Sequence, residues 1–159
     1  MILTIPKVNR PVEFTKAQPL LRPDARGEKW TVEEDFIWYF GEKYSGRFII
    51  VPKGFVTDLA SVPKPLRLIV SHTTAPASSV VHDYNYRYPS IYNFVGRDGN
   101  GDATHTLESL TRKQIDQNYR DMLIVLDTPK WKANTMYYGV RAGGWRPYNK
   151  YRKADRLAA

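Results

Sequence analysis

The chain has 159 residues, no cysteine, and a formal charge of +8 with a pI near 9.7. Its length suits one ordinary domain whose core needs no staple, and the missing cysteines exclude disulfides, thiolate metal ligands and cysteine nucleophiles. No apolar run reaches the ~20 residues of a transmembrane segment, and the cationic excess favours an anionic partner: nucleic acid, an anionic lipid surface or an acidic protein face.

The opening Met-Ile-Leu-Thr-Ile-Pro is too short, and too soon broken by proline, for a signal peptide. Residues 1–28 hold Pro6, Pro11, Pro19 and Pro23 and read as an extended segment that needs partners to order it. Trp30-Thr-Val32 and Asp35–Phe40 are aromatic and β-branched, and Arg47–Val51 matches them across a Gly41–Gly46 loop, which predicts a β-hairpin closed by Pro52 and Gly54. Thr57 to Pro65, with two prolines, reads as a turn or short helix.

Ala77, Val80, Val81, Tyr84 and Tyr88 recur at three and four residues, predicting a helix with Pro76 just inside its start and His82 at the edge of the apolar stripe. Asp98-Gly-Asn100-Gly-Asp102 imitates the start of a calcium loop, but Ala103 stands where the glycine is required, so a turn between helices is expected. A second helix runs from about Leu110 to Leu126 with Thr111 as cap, and a third from about Lys132 to Arg141 ends at Gly143-Gly144.

The fold expected is α+β: an N-terminal antiparallel β-hairpin or small sheet followed by three packed helices, with residues 1–145 as one domain and 146–159 as a basic aromatic C-terminal tail. In that tail Arg146, Tyr148, Lys150, Tyr151, Arg152 and Lys153 form a partner-binding set, because aromatics among cations can lie on phosphates and stack on bases, or bury in a protein groove.

Chemistry is expected at His82-Asp83. An imidazole titrates near neutral pH and can pass a proton to and from water, but neighbours on a helix point about 100° apart, so Asp116 on the next helix is the better partner for His82. Catalytic roles are assigned to His82 and Asp116, supporting roles to Tyr86, Arg112 and Ser61, and a cation-holding role to Asp83 and Asp58. The alternative is a buried polar network of His82, Asp116, Asp58 and Arg112 that ties the helices to the Asp58 turn. A divalent cation, calcium included, is the candidate cofactor.

Gly54-Phe55-Val-Thr57-Asp58-Leu-Ala-Ser61-Val-Pro63, His82-Asp83-Tyr-Asn-Tyr86-Arg87, Arg112-Lys-Gln-Ile-Asp116 and Met136–Arg141, in that order, resemble a family of unknown function found in tailed bacteriophages and prophages. The resemblance implies a virion component of tail, neck or baseplate, made in the host cytoplasm and contacting other virion proteins. More distantly, His-Asp-x-x-Tyr on one helix with an Asp on the next is similar to the His-Asp dyad phospholipases. That likeness implies a hydrolase-like site with His82 as base, Asp116 as its orienting carboxylate and Asp83 as a calcium ligand. It makes a metal-assisted lipid or other ester hydrolase the enzymatic alternative to the particle role, and a nucleic-acid-associated protein acting through the basic tail the binding alternative.

Overall fold

The computed structural model describes residues 18–41, 45–59 and 76–158. The architecture is α+β, with two antiparallel sheets and four helices. The smaller sheet joins β1 (Leu21–Pro23), β2 (Trp30–Val32) and β5 (Val56–Thr57) in the order β1-β2-β5. The larger has the order β3-β4-β6-β7, from β3 (Phe36–Tyr39), β4 (Arg47–Val51), β6 (Ser90–Arg97) and β7 (Ala103–Ser109).

The expected hairpin pairs β3 with β4, placing Phe36 opposite Val51 and Tyr39 opposite Phe48. Trp30–Val32 lies in the other sheet, where β5 pairs with β2 across Trp30 and Thr57. Part of the proline-rich segment also has regular structure, since β1 runs antiparallel to β2.

Helix α1 (Pro76–Arg87) starts at the predicted proline, and the Gln18 side chain accepts a hydrogen bond from the Ala77 amide, one of the amides that a first helical turn leaves unpaired. Its burial departs from the predicted stripe. Val80 and Val81 are in the core, but Ser78, Ser79, His82, Asn85 and Tyr86 are buried as well, whereas Tyr88 is exposed. The helix packs against β4 and β5, α2 and α4, so its polar face is enclosed along with its apolar one.

Helix α2 (Arg112–Val125) begins with a capping box in which Thr111 and Gln114 satisfy each other's backbone amides. Helix α3 (Lys130–Gly143) packs Ala133, Met136 and Val140 against Tyr119 and Leu123 of α2. The main core lies where α1 and α2 meet the larger sheet, with Val80, Val81, Ile115 and Met122 against Trp38, Ile49, Val51 and Ile91.

Two expectations need correction. Helices do not simply follow strands: β6 and β7 form a hairpin between α1 and α2, and Asp98–Asp102 is its turn, held by Asp98 Oδ1 accepting from the Asn100 and Asp102 amides. The tail is helix α4 (Trp145–Ala158), with Pro147 in its first turn, where a missing amide costs nothing. Tyr148 and Tyr151 pack on the main core, and Arg152 Nη2 donates to the Tyr86 and Arg87 carbonyls at the end of α1 at 3.3 and 2.5 Å. These three residues of the expected partner-binding set are therefore turned toward their own fold, leaving Arg146, Lys150 and Lys153 exposed.

Removing the α2 cap with Thr111→Ala should lower unfolding free energy by about 1 kcal/mol. Urea titration should show an earlier midpoint with an unchanged slope.

Candidate functional site

Asp116 is fully buried and gathers side chains from three helices. His82 Nε2 lies 2.9 Å from its Oδ1, and the Tyr86 hydroxyl donates to the same oxygen at 2.6 Å. Arg141 Nη1, from α3, donates to Oδ2 at 2.7 Å, while Arg112 Nη1, one turn before Asp116 on α2, stands 3.6 Å from Oδ2 and donates to the Arg141 carbonyl at 3.1 Å. The spacing of His82 and Tyr86 puts both on one face of α1, directed at α2.

Burial works against a charged Asp116, but hydrogen bonds from His82, Tyr86 and Arg141 outweigh it and hold the carboxyl below its ordinary value. Burial likewise depresses His82, yet the facing Asp116 and Asp83 carboxylates reverse the sign and leave its pKa raised. The Tyr86 phenol is pushed well above its ordinary value by burial and by its bond to Asp116, so it stays a neutral donor.

Since Nε2 faces a carboxylate, the neutral imidazole carries its proton there and presents a lone pair at Nδ1. Nδ1 has no hydrogen-bond partner; the nearest acid, Asp83 Oδ1, is 3.9 Å away, beyond hydrogen-bond range. The ring itself is held between Tyr86 and Tyr119, with centroid distances of 4.1 and 4.7 Å.

His82 is 3% exposed and lines a cavity of about 630 Å³. Phe55, Thr57 and Asp58 form one wall, and Val140, Gly143, Gly144, Pro147 and Tyr151 the other, where α3 turns into α4. Lys29 and Arg87 add cationic groups to the lining.

Gly144 ends α3 as expected, its amide donating to the Val140 carbonyl, and it has a second role. Its φ of −74° is ordinary for any residue, but a Cβ there would overlap the Tyr86 hydroxyl and sit 2.5 Å from the Val140 carbonyl oxygen. A hydrogen side chain at this corner is what lets Tyr86 reach Asp116.

Asp83 Oδ2 accepts from the Thr57 hydroxyl, which itself accepts from the Leu59 amide at 3.0 Å, so Asp83 ties α1 to the end of β5. Asp58 lines the same cavity. Among the described residues no group of three or more His, Asp or Glu side chains is gathered to hold a metal ion. Of the two carboxylates assigned to a cation, Asp83 is engaged with the Thr57 hydroxyl. Ser61 lies outside the described residues, as do the later part of the Thr57–Pro65 turn and His72.

His82, Tyr86, Arg112 and Asp116 thus stand together. Arg141 and Gly144 were missed as parts of the site. Arg141 sits in one of the sequence blocks singled out above, but nothing local in the sequence directs it back to α2.

Two measurements follow from this geometry. Gly144→Ala should lower the melting temperature, and Tyr86→Phe in that background should recover part of the loss because the colliding hydroxyl is gone. The pH dependence has a definite sign. Asp116, with its pKa lowered from 3.8, contributes stability that is present above that value and lost as pH falls through the depressed one. His82, with its pKa raised from 6.5, contributes stability that is complete below that value and lost as pH rises through the raised one. The joint contribution is largest between about pH 4 and 6.5, and His82→Gln should remove the decline on the alkaline side of a thermal-unfolding series.

No curated protein and no solved structure matches this chain. One family model does, over residues 30–140, from β2 to most of α3, and its description is a protein of unknown function. The matched span holds the whole His82–Asp116 cluster except Arg141 and Gly144, and covers more than half of the sequence: the chain belongs to the DUF1353 family.

Proposed function

We propose that this protein is a bacteriophage particle component whose His82–Asp116 pair hydrolyses an ester. The observation that carries the hydrolytic reading is the state of the imidazole: Nε2 is held by a buried carboxylate at 2.9 Å and Nδ1 is unpartnered in a residue that lines a cavity. The particle role rests on the resemblance of the sequence blocks to a phage family.

In this reading Nδ1 takes a proton from a water in the cavity as the water oxygen attacks the ester carbonyl carbon. Asp116 stabilises the resulting imidazolium, and the same proton then passes to the departing alkoxide, so ester and water leave as acid and alcohol. Arg141 and Tyr86 keep the Asp116 carboxylate ionised and oriented throughout. The apolar Phe55, Val140 and Tyr151 suit the body of an ester, and Lys29 and Arg87 suit an anionic group on it. No step requires a metal ion.

A neutral imidazole is needed for the first proton transfer, and the pKa of His82 is raised. The rate should therefore climb with pH along a limb displaced above 6.5. His82→Ala or Asp116→Asn should reduce ester hydrolysis by about 10²-fold or more, with the circular dichroism of a folded chain retained. Hydrolysis should persist in chelator, and the chain should be a stoichiometric constituent of purified particles. Absence of turnover above buffer, on p-nitrophenyl esters and phospholipid vesicles alike, would remove the enzymatic reading; absence from particles would remove the structural one.

One observation favours a second reading, in which the cluster is only a cross-link between helices. His82 Nδ1 is almost without solvent contact. A large loss of stability in His82→Ala, together with wild-type inactivity toward every ester, selects it.

A further inference from the structure

Residues 130–159 carry eight cations against the single acid Asp155, and so hold seven of the eight net positive charges of the chain. Helix α3 contains no acid at all. Its buried stripe, Ala133, Met136 and Val140, faces α2. Seven residues make almost two full turns, so Trp131 and Tyr138 share one side of α3, opposite that stripe. They are 63% and 69% exposed.

Trp145, another seven residues on, opens α4; it is 49% exposed and has the Arg146 guanidinium 5.2 Å over its ring. Lys130 and Lys132 flank Trp131 on its two sides. On α4, Tyr148 and Tyr151 turn toward the core, while Arg146, Lys150 and Lys153 face solvent. Trp131 and Trp145 are thus exposed rings with cations beside them, the combination that suits the headgroup level of a membrane.

We infer that the outward side of α3 and the cationic side of α4 form a docking surface for an anionic phospholipid bilayer, with Trp131, Tyr138 and Trp145 seated at the boundary between headgroups and acyl chains. Charge complementarity supplies long-range attraction, and Trp and Tyr are the side chains whose apolar body and polar tip suit that boundary. The shape favours a bilayer over nucleic acid. Rings about 10 Å apart along a convex helix do not make the positively charged groove, with aromatics under successive bases, that single strands need. No helix among the described residues is long and apolar enough to cross a membrane, so the contact is a peripheral one. This surface lies outside the His82 cavity, and either can fail without the other.

Flotation of the full chain with phosphatidylglycerol–phosphatidylcholine vesicles at low salt provides the test, with pure phosphatidylcholine vesicles and a single-stranded oligonucleotide as parallel probes. The expected result is co-flotation with the anionic vesicles only, accompanied by a blue shift of tryptophan emission. Lys150→Glu/Lys153→Glu should weaken it by about 25-fold or more, since each lost cation near the surface is worth about fivefold. Trp131→Ala/Tyr138→Ala should weaken it by about tenfold or more through lost apolar insertion. All four positions are exposed, so both variants should keep the wild-type melting temperature. The inference is overturned by no binding to anionic vesicles, by undiminished binding in either double variant, or by oligonucleotide binding without vesicle binding. It is also overturned if the aromatic variant abolishes self-association of a chain that ignores vesicles.

Discussion

A single ionised carboxylate taken out of water sets the terms for the helical half of this protein. Asp116 has no solvent exposure, and a lone carboxylate in that position would cost several kcal/mol. Its charge is sustained because His82 and Tyr86 come from α1 and Arg141 from α3, while Arg112 supports the arrangement from its own helix. Moving any of the three helices would leave a charge or a donor unmet, so the relative placement of α1, α2 and α3 is fixed by polar satisfaction as well as by packing. Even the corner between α3 and α4 answers to this carboxylate, since Gly144 is the clearance for the Tyr86 hydroxyl.

The same interactions hold two demands in tension. Hydrogen bonding to Asp116 fixes the imidazole orientation and leaves Nδ1 without a partner, as a base requires. It also favours the protonated ring, which is not a base. In the hydrolysis proposed above, an imidazolium stabilised this well suits the second half of the cycle, when charge has developed, more than the resting state. The Tyr86 and Tyr119 rings, packed against the imidazole, limit its motion in either state.

Helix α4 joins the site to the molecular surface. Arg152 holds the carbonyls at the end of α1, Tyr148 lies 5.5 Å from the Tyr86 ring, and Tyr151 lines the cavity. One side of the helix thus helps to enclose His82 while the other presents Arg146, Lys150 and Lys153. A segment whose composition suggests a basic, partner-binding tail is in this way part of the cavity wall.

Much was legible where the signal is local. Pro76 and the three-and-four spacing mark α1, Thr111 with Gln114 marks the start of α2, and matching β-branched runs mark the β3–β4 hairpin, because periodicity and capping act within a few residues. The β6–β7 hairpin was missed although Asp98–Asp102 announces a turn, since a turn motif alone does not say whether helices or strands flank it. The pairing of His82 with Asp116 followed from helical geometry, which turns His82 and Asp83 apart. Burial of the polar face of α1, recruitment of Arg141, the clearance at Gly144 and the inward turn of Tyr148, Tyr151 and Arg152 did not follow from any local pattern. They depend on which elements surround α1 from every side, and that is settled only when the chain has packed: sequence by itself determined helices α1 to α3 and the His82–Asp116 pair they carry, and tertiary structure made the tail a helix and decided how the pair is charged, enclosed and reached.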